Sequence, residues 1–255
     1  MTGGTERKFG YEWDLYREII PLHRRQFVQW IHPIPLSAFE GKRFLDAGCG
    51  IGRNSLWALE AGAESAYAFD FDERTVKVAR DNLKTFSNCE VGFESVYDLR
   101  RNEEFDIAFC IGVLHHLEHP RKAIENIVRA LKPGGTLILW VYAFEGNELY
   151  LKLFDPFRKH VTSRIHPALT RLVAKCMTAM LKVYLLLPHK NSYLLELRER
   201  SFRHIEAMVF DQLLPHIAHY WRRSEVDGLV DGLPLSDVAI THTHGISWSL
   251  TAVKK

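Results

Sequence analysis

Asp46, Gly48, Gly50 and Gly52 occupy alternate positions in the stretch "LDAGCGIGRN". Glycine inside a structured segment costs about 0.5–1 kcal/mol relative to alanine, so three so close together need a reason. They stand between an apolar run and a helix-like run. That suits a turn where the backbone approaches a ligand and a helix presents its first N–H groups. The frame is acidic-x-Gly-x-Gly-x-Gly. It is not the GxGxxG dinucleotide fingerprint, because Arg53 stands where the third glycine would fall. Asp70 closes the next apolar run, eighteen positions after Gly52, where a carboxylate can accept both hydroxyls of a ribose. Asp72 is read as the cap of the following helix.

His115, His116 and Glu145 follow later apolar runs. Histidine titrates near neutrality and can take a proton from a hydroxyl. Either ring could instead pack beneath the loop. Glu145 could orient an amine or hydroxyl, or pair with a surface arginine. Tyr11 and Trp13 could fold over a bound molecule, or anchor an N-terminal helix.

The elements that must place these residues alternate along the chain. Strand-like "RFLDAG", "SAYAFD", "CEVGFE", "FDIAFCIGV" and "TLILWVY" are separated by helical periods, among them 73–83 and 121–131. Short apolar runs alternating with helices predict a parallel sheet covered on both faces. "KPGG" reads as a turn, and "SDVAITH" and "SWSLTAVK" flank His244 and Gly245 as a hairpin. Between about 145 and 220 the alternation stops and the chain reads as helix.

With these residues in view, the chain resembles the class I S-adenosylmethionine-dependent methyltransferases. "LDAGCGIGR", "AFDFDERTVKVARDN", "FDIAFCIGVLHHLEHP" and "RALKPGGTLILW" carry the resemblance in order. It covers residues 40–143 strongly and extends loosely to the C-terminal hairpin. The "IGVLHH" stretch stands where Asn-Pro-Pro-Tyr would mark methylation of DNA or protein glutamine. That resembles the small-molecule and lipid branch of the methyltransferase type 11 kind.

The resemblance implies an α/β, Rossmann-like doubly wound sheet of seven strands, the last antiparallel, with a helical insertion after strand five. S-adenosylmethionine is the implied cofactor. Asp46 and the glycine backbone would hold its methionine part, with Cys49 and Ile111 counted in the same pocket. Asp70 would hold the ribose, Phe71 would lie on the adenine, and Ser95 and Val96 would reach the adenine edge. Tyr11 and Trp13 are candidates for the cofactor lid. His116, His115 and Glu145 are the catalytic candidates.

The expected organisation is a helical cap over 1–40, a methyltransferase domain over 41–144 and 221–255, and an insertion over 145–220. The expected reaction is methyl transfer to an oxygen or nitrogen of a small-molecule or lipid-like acceptor. A carbon methyltransferase and a non-catalytic binding domain are the alternatives.

The 255 residues, 47% hydrophobic, can bury a large core. A net charge of +2 excludes a generally basic molecule, and no nucleic-acid partner is expected. Four scattered cysteines form no CxxC pair, so no metal site is expected and a reducing, cytoplasmic setting fits. The first residues read as carrying no apolar signal region. Charge is nonetheless segregated. Residues 150–204 hold eleven lysines and arginines against three acids, a net +8, which leaves −6 for the remainder. The insertion is therefore read as a substrate lid, a homodimer contact or a peripheral membrane contact.

Overall fold

A computed structural model of the chain describes residues 11, 13, 15–188 and 192–255. Contacts divide these into two units. One comprises Arg17–Asn147 with Ile217–Lys255; the other comprises the described residues up to Tyr16 with Glu148–His216.

The first unit is built on strands β1 (Arg43–Ala47), β2 (Ser65–Asp70), β3 (Cys89–Phe93), β4 (Phe105–Ile111), β5 (Leu131–Tyr142), β6 (Leu235–Thr243) and β7 (Ser247–Lys254). They form a single seven-stranded sheet in the order β3-β2-β1-β4-β5-β7-β6. β7 runs antiparallel to both neighbours, and the pairs from β3 to β5 are parallel. The expected hairpin is present, with His244 and Gly245 both at positive φ between β6 and β7. The "KPGG" turn is drawn into β5 as an irregularity. Phe105 faces Leu131, yet Ile107 already faces Thr136.

Successive strand residues point to opposite faces, so each strand feeds two cores. Leu45, Leu137 and Leu139 join one core, together with Ile124 and Ile127 of helix α4 (Pro120–Ala130). Phe44 and Ile138 join the other, with Phe27 and Trp30 of α1 (Pro21–Trp30) and Trp57 of α2 (Arg53–Glu60). In that second core Phe44 stacks on Phe109 with centroids 5.5 Å apart. Burying each such ring stabilises the fold by about 1.5–3 kcal/mol.

Helix α3 (Glu73–Leu83) starts at Asp72, whose carboxylate accepts the N–H groups of Arg74 and Thr75 at 3.0 and 3.2 Å. Pro21 and Pro120 occupy first-turn positions of α1 and α4, where a missing N–H costs nothing. Because α1 packs into the sheet unit's core, the expected 1–40 cap is divided: the boundary falls between Tyr16 and Arg17.

The helical unit contains α5 (Glu148–Leu153), α6 (Pro167–Tyr184), α7 (Ser192–Glu199) and α8 (Phe202–Leu213). Ala174 of α6 packs with Phe210 and Leu213 of α8. Arg158 is fully buried. Its guanidinium pairs with Asp155 and also donates to the carbonyl of Pro215.

Candidate functional site

β1 and β4 are neighbours whose chain connections lead in opposite directions. This makes the crevice at their carboxyl ends the topological switch point of the sheet, the place where open α/β sheets bind ligands. The glycine-rich loop leaves β1 there, and 111–116 leaves β4.

Gly48 sits at φ +80° against Val113, whose side chain fills the place a Cβ would occupy. Gly52 sits at φ +79° and caps α2; a Cβ on it would lie 2.8 Å from Leu83 Cδ1. Both are held by backbone conformation and by packing. The loop's own donors are largely engaged within the fold. The N–H groups of Gly48 and Cys49 both reach the Phe69 carbonyl at 2.9 Å, and Gly52 donates to Cys49. The loop therefore gives a ligand close approach, and the polar contacts must come from neighbouring side chains.

Three such side chains are in place. Asp70 accepts the Gly50 N–H at 3.0 Å and the Asp72 N–H at 3.1 Å. Burial pushes its carboxyl up to about 6, against the pull of those two N–H groups. Asp46 is almost fully buried and accepts the Ser55 hydroxyl at 2.6 Å, which ties β1 to the first turn of α2. Burial raises its carboxyl to about 7, with Asp70 adding to the shift and Ser55 opposing it. Asn54, also in that first turn, is buried with its Oδ1 lacking any hydrogen-bond partner. A buried polar atom left unsatisfied is unusual and points to a ligand contact. Nothing in the local sequence singled out Asn54.

Phe71, beyond β2, is 46% exposed and stacks on Phe93, 51% exposed, with centroids 6.0 Å apart. Sequence order separates the two rings; the β2–β3 register, pairing Asp70 with Phe93, brings them together. Ser95 is half-buried, and its hydroxyl accepts the Tyr97 N–H at 3.2 Å. Val96 is buried, and its carbonyl accepts the Asn126 side-chain amide at 2.9 Å. Asn126 also reaches the Tyr97 carbonyl at 3.0 Å, so α4 positions this loop. Ile111 is buried at the end of β4, and Cys49 is buried in the glycine loop with its thiol pushed up by burial.

The two histidines have different environments. His115 is fully enclosed and stacks on Tyr142 with centroids 3.7 Å apart, and neither ring nitrogen has a partner. Burial, with His116 and His219 nearby, holds its pKa well below the ordinary value, so it stays neutral. His116 is partly buried, and its Nδ1 lies 2.9 Å from the Ile217 carbonyl. A carbonyl can only accept, so Nδ1 carries a proton, and in the neutral ring the lone pair lies on Nε2. Of the two, His116 has the chemistry of a proton acceptor.

Residues 217–221 lace this corner together. His219 donates its N–H to the His115 carbonyl at 2.8 Å, and its Nε2 lies 3.1 Å from the Leu117 carbonyl. Tyr220 stacks on Tyr142 with centroids 5.2 Å apart. Trp221 donates to Tyr142 and accepts from Phe144. The expected insertion boundary at 220 included most of this strap; the structure returns it to the sheet unit from Ile217. Glu145 accepts the Arg223 N–H at 3.3 Å at the first turn of α9 (Arg223–Val230). That places a helix-capping contact on one of its oxygens, while the other is buried without a partner. Tyr11 and Trp13 belong to the helical unit, where the Tyr11 ring meets Phe210 edge-on at 6.2 Å.

Residues 45–139 match the family model described as a methyltransferase domain. A ubiquinone biosynthesis O-methyltransferase of Xanthomonas campestris pv. campestris is 31% identical over 183 residues, covering 67% of this chain and 75% of that protein. A tRNA U34 carboxymethyltransferase of Idiomarina loihiensis is 31% identical over 144 residues, covering 53% of this chain but only 44% of that protein. Among solved structures, magnesium protoporphyrin IX methyltransferase from Synechocystis with bound SAH superposes with a TM-score of 0.55 at 18% identity, covering 91% of this chain and 84% of that one. A SAM-dependent methyltransferase from Thermotoga maritima gives 0.58 at 15% identity, covering 98% and 100%.

Proposed function

The chain belongs to the class I S-adenosylmethionine-dependent methyltransferases, and we propose that it methylates a hydroxyl oxygen of a small-molecule or lipid-like acceptor, with His116 receiving the proton. The observation that carries this reading is the contact between His116 Nδ1 and the Ile217 carbonyl, which sets the neutral tautomer whose lone pair lies on Nε2. An amine needs only to be held unprotonated, whereas a hydroxyl gains about 10²–10⁴-fold from a positioned base.

The residues fit the cofactor. Asp70 offers a partly buried carboxylate to the ribose hydroxyls, and Asn54 offers an unsatisfied buried oxygen. Phe71 and Phe93 offer an exposed aromatic surface to the adenine. When bound, S-adenosylmethionine supplies a methyl group on a cationic sulfonium, open to in-line displacement. The protein's share is to hold the acceptor oxygen in line and draw off its proton. His115, neutral and stacked on Tyr142, forms part of the wall behind His116. The Xanthomonas relative, named an O-methyltransferase, supports oxygen as the acceptor atom.

The test is transfer of a labelled methyl group from S-adenosylmethionine to panels of phenols and alcohols, of amines, and to total tRNA. Label should enter the hydroxyl panel, and His116→Ala should lower that rate about 10²-fold or more without weakening binding of S-adenosylhomocysteine. Labelling confined to amines or tRNA, or a fully active His116→Ala, would refute the assignment.

A further inference from the structure

The helical unit carries a helix with its large aliphatic side chains turned outward. On α6, Thr170, Ala174 and Thr178 are buried, and Ala174 packs against α8. Leu169, Leu172, Met180 and Val183 are exposed, Met180 at 73% and Val183 at 68%. With exposed Cys176 they recur every three or four residues, a spacing that lines one face of a helix. Exposed Leu186 and Leu187 follow directly after the helix. The 18 residues of α6 make this stripe about 27 Å long. Aliphatic surface left in water forgoes the burial that drives folding, and a contiguous exposed patch marks an interaction surface.

We propose that this face of α6 docks on an anionic lipid bilayer. Charge decides between occupants. Residues 150–204 carry a net +8, and exposed Lys175 stands beside the stripe, while Arg171 and Lys182 on the same flank are held by Glu206 and by the Arg200 carbonyl. Lysine and arginine stems can lie along an apolar surface while their charges meet headgroup phosphates. A second copy of the chain would bring two such basic segments together, at a Coulombic cost. RNA would be met by cations and stacking aromatic rings, not by leucine, methionine and valine. The helix would lie in the plane of the interface with its apolar face down. Among the described residues no helix is long and apolar enough to cross a membrane.

The test is flotation of the full chain with two kinds of vesicle, at low and at high salt. One kind is phosphatidylcholine alone; the other mixes it with phosphatidylglycerol. The chain should float with the mixed vesicles at least about tenfold more than with the neutral ones at low salt, and salt should reduce the difference. Replacing Leu172, Met180 and Val183 together by serine should abolish flotation, and Lys175→Glu should reduce it several-fold. Both variants should keep the wild-type circular dichroism and affinity for S-adenosylhomocysteine. Should the triple variant fold poorly, the comparison of vesicles and salts with the wild-type chain decides alone. The proposal is overturned if the chain stays down with anionic vesicles at low salt, or if a folded triple variant floats as well as wild type. It is equally overturned if light scattering without lipid shows a dimer that the triple variant abolishes, or if the chain binds total tRNA and no vesicles.

Discussion

The Asp70 carboxylate and the Gly50 N–H are joined by a 3.0 Å hydrogen bond that spans from the end of β2 to the loop after β1. One acid thus fixes the loop's conformation and offers the remaining capacity of its oxygens to a ligand. Asp70→Ala should weaken binding of S-adenosylhomocysteine by about 1.5–3 kcal/mol, the range for hydrogen bonds to a charged group. Calorimetric titration measures it, and an unchanged affinity would remove Asp70 from the cofactor site.

Cofactor affinity should also depend on pH. Burial raises the Asp70 carboxyl from 3.8 to about 6, so the ionised form, the stronger acceptor, predominates only above that value. Affinity for S-adenosylhomocysteine should fall as pH drops from 7.5 through 6 to 5. Titrations across that range should show a shallower profile in Asp70→Asn, which has no charge to lose at that position, with Asp46 still titrating.

Asp46 predicts a conflict between stability and binding. Its carboxyl is raised to about 7 in the folded protein, from 3.8. Between those values the folded state holds a proton that the unfolded chain has released, so this group's contribution to stability declines as pH rises through 7. Asp46→Asn, which cannot ionise, should gain stability on the order of 1–2 kcal/mol at pH 8 relative to wild type. It should gain nothing at pH 4, and should bind cofactor less tightly. Denaturant unfolding at the two pH values measures the difference.

The loop glycines should differ from one another. Gly52→Ala meets both a left-handed backbone and Leu83, and should destabilise the fold by about 1–2 kcal/mol from the backbone alone. Gly50 also sits at positive φ, so Gly50→Ala should carry a similar backbone cost, and because its N–H is held by Asp70 it should in addition lose affinity for S-adenosylhomocysteine. Thermal unfolding read beside calorimetric titration separates the two effects. An unchanged affinity in Gly50→Ala would make both glycines packing residues.

What could be read in the sequence was local. The order of strands and helices, the Asp72 cap and the His244–Gly245 hairpin each rest on a few adjacent residues. The glycine loop and Asp70 could be found because their chemistry sits at fixed offsets from strand ends. Phe93 was not legible, because it reaches Phe71 only through the β2–β3 register. Asn126 positions the 95–97 loop from thirty residues away in the chain. Asn54 reads as an ordinary helix residue until its oxygen is seen to be buried without a partner. The 217–221 strap escaped because irregular backbone has no period, and its hydrogen bonds to His115, His116 and Leu117 cross about a hundred positions.

That strap bears on how such a protein can accept new helices. The chain leaves the sheet unit at Asn147 and re-enters it at Ile217, so the helices between can be lengthened, shortened or exchanged without touching the sheet's order. Both seams are held: at the exit the Asn147 side chain donates to the Ala143 and Ile246 carbonyls at 2.8 Å. Whatever occupies 148–216 must deliver a carbonyl to His116, a backbone N–H to the His115 carbonyl and a ring to Tyr142 within the first four residues of its return. Diversification by insertion, in nature or by design, is therefore constrained at both of its seams. A graft that ends one residue early or late would pull these contacts away from His115, His116 and Tyr142.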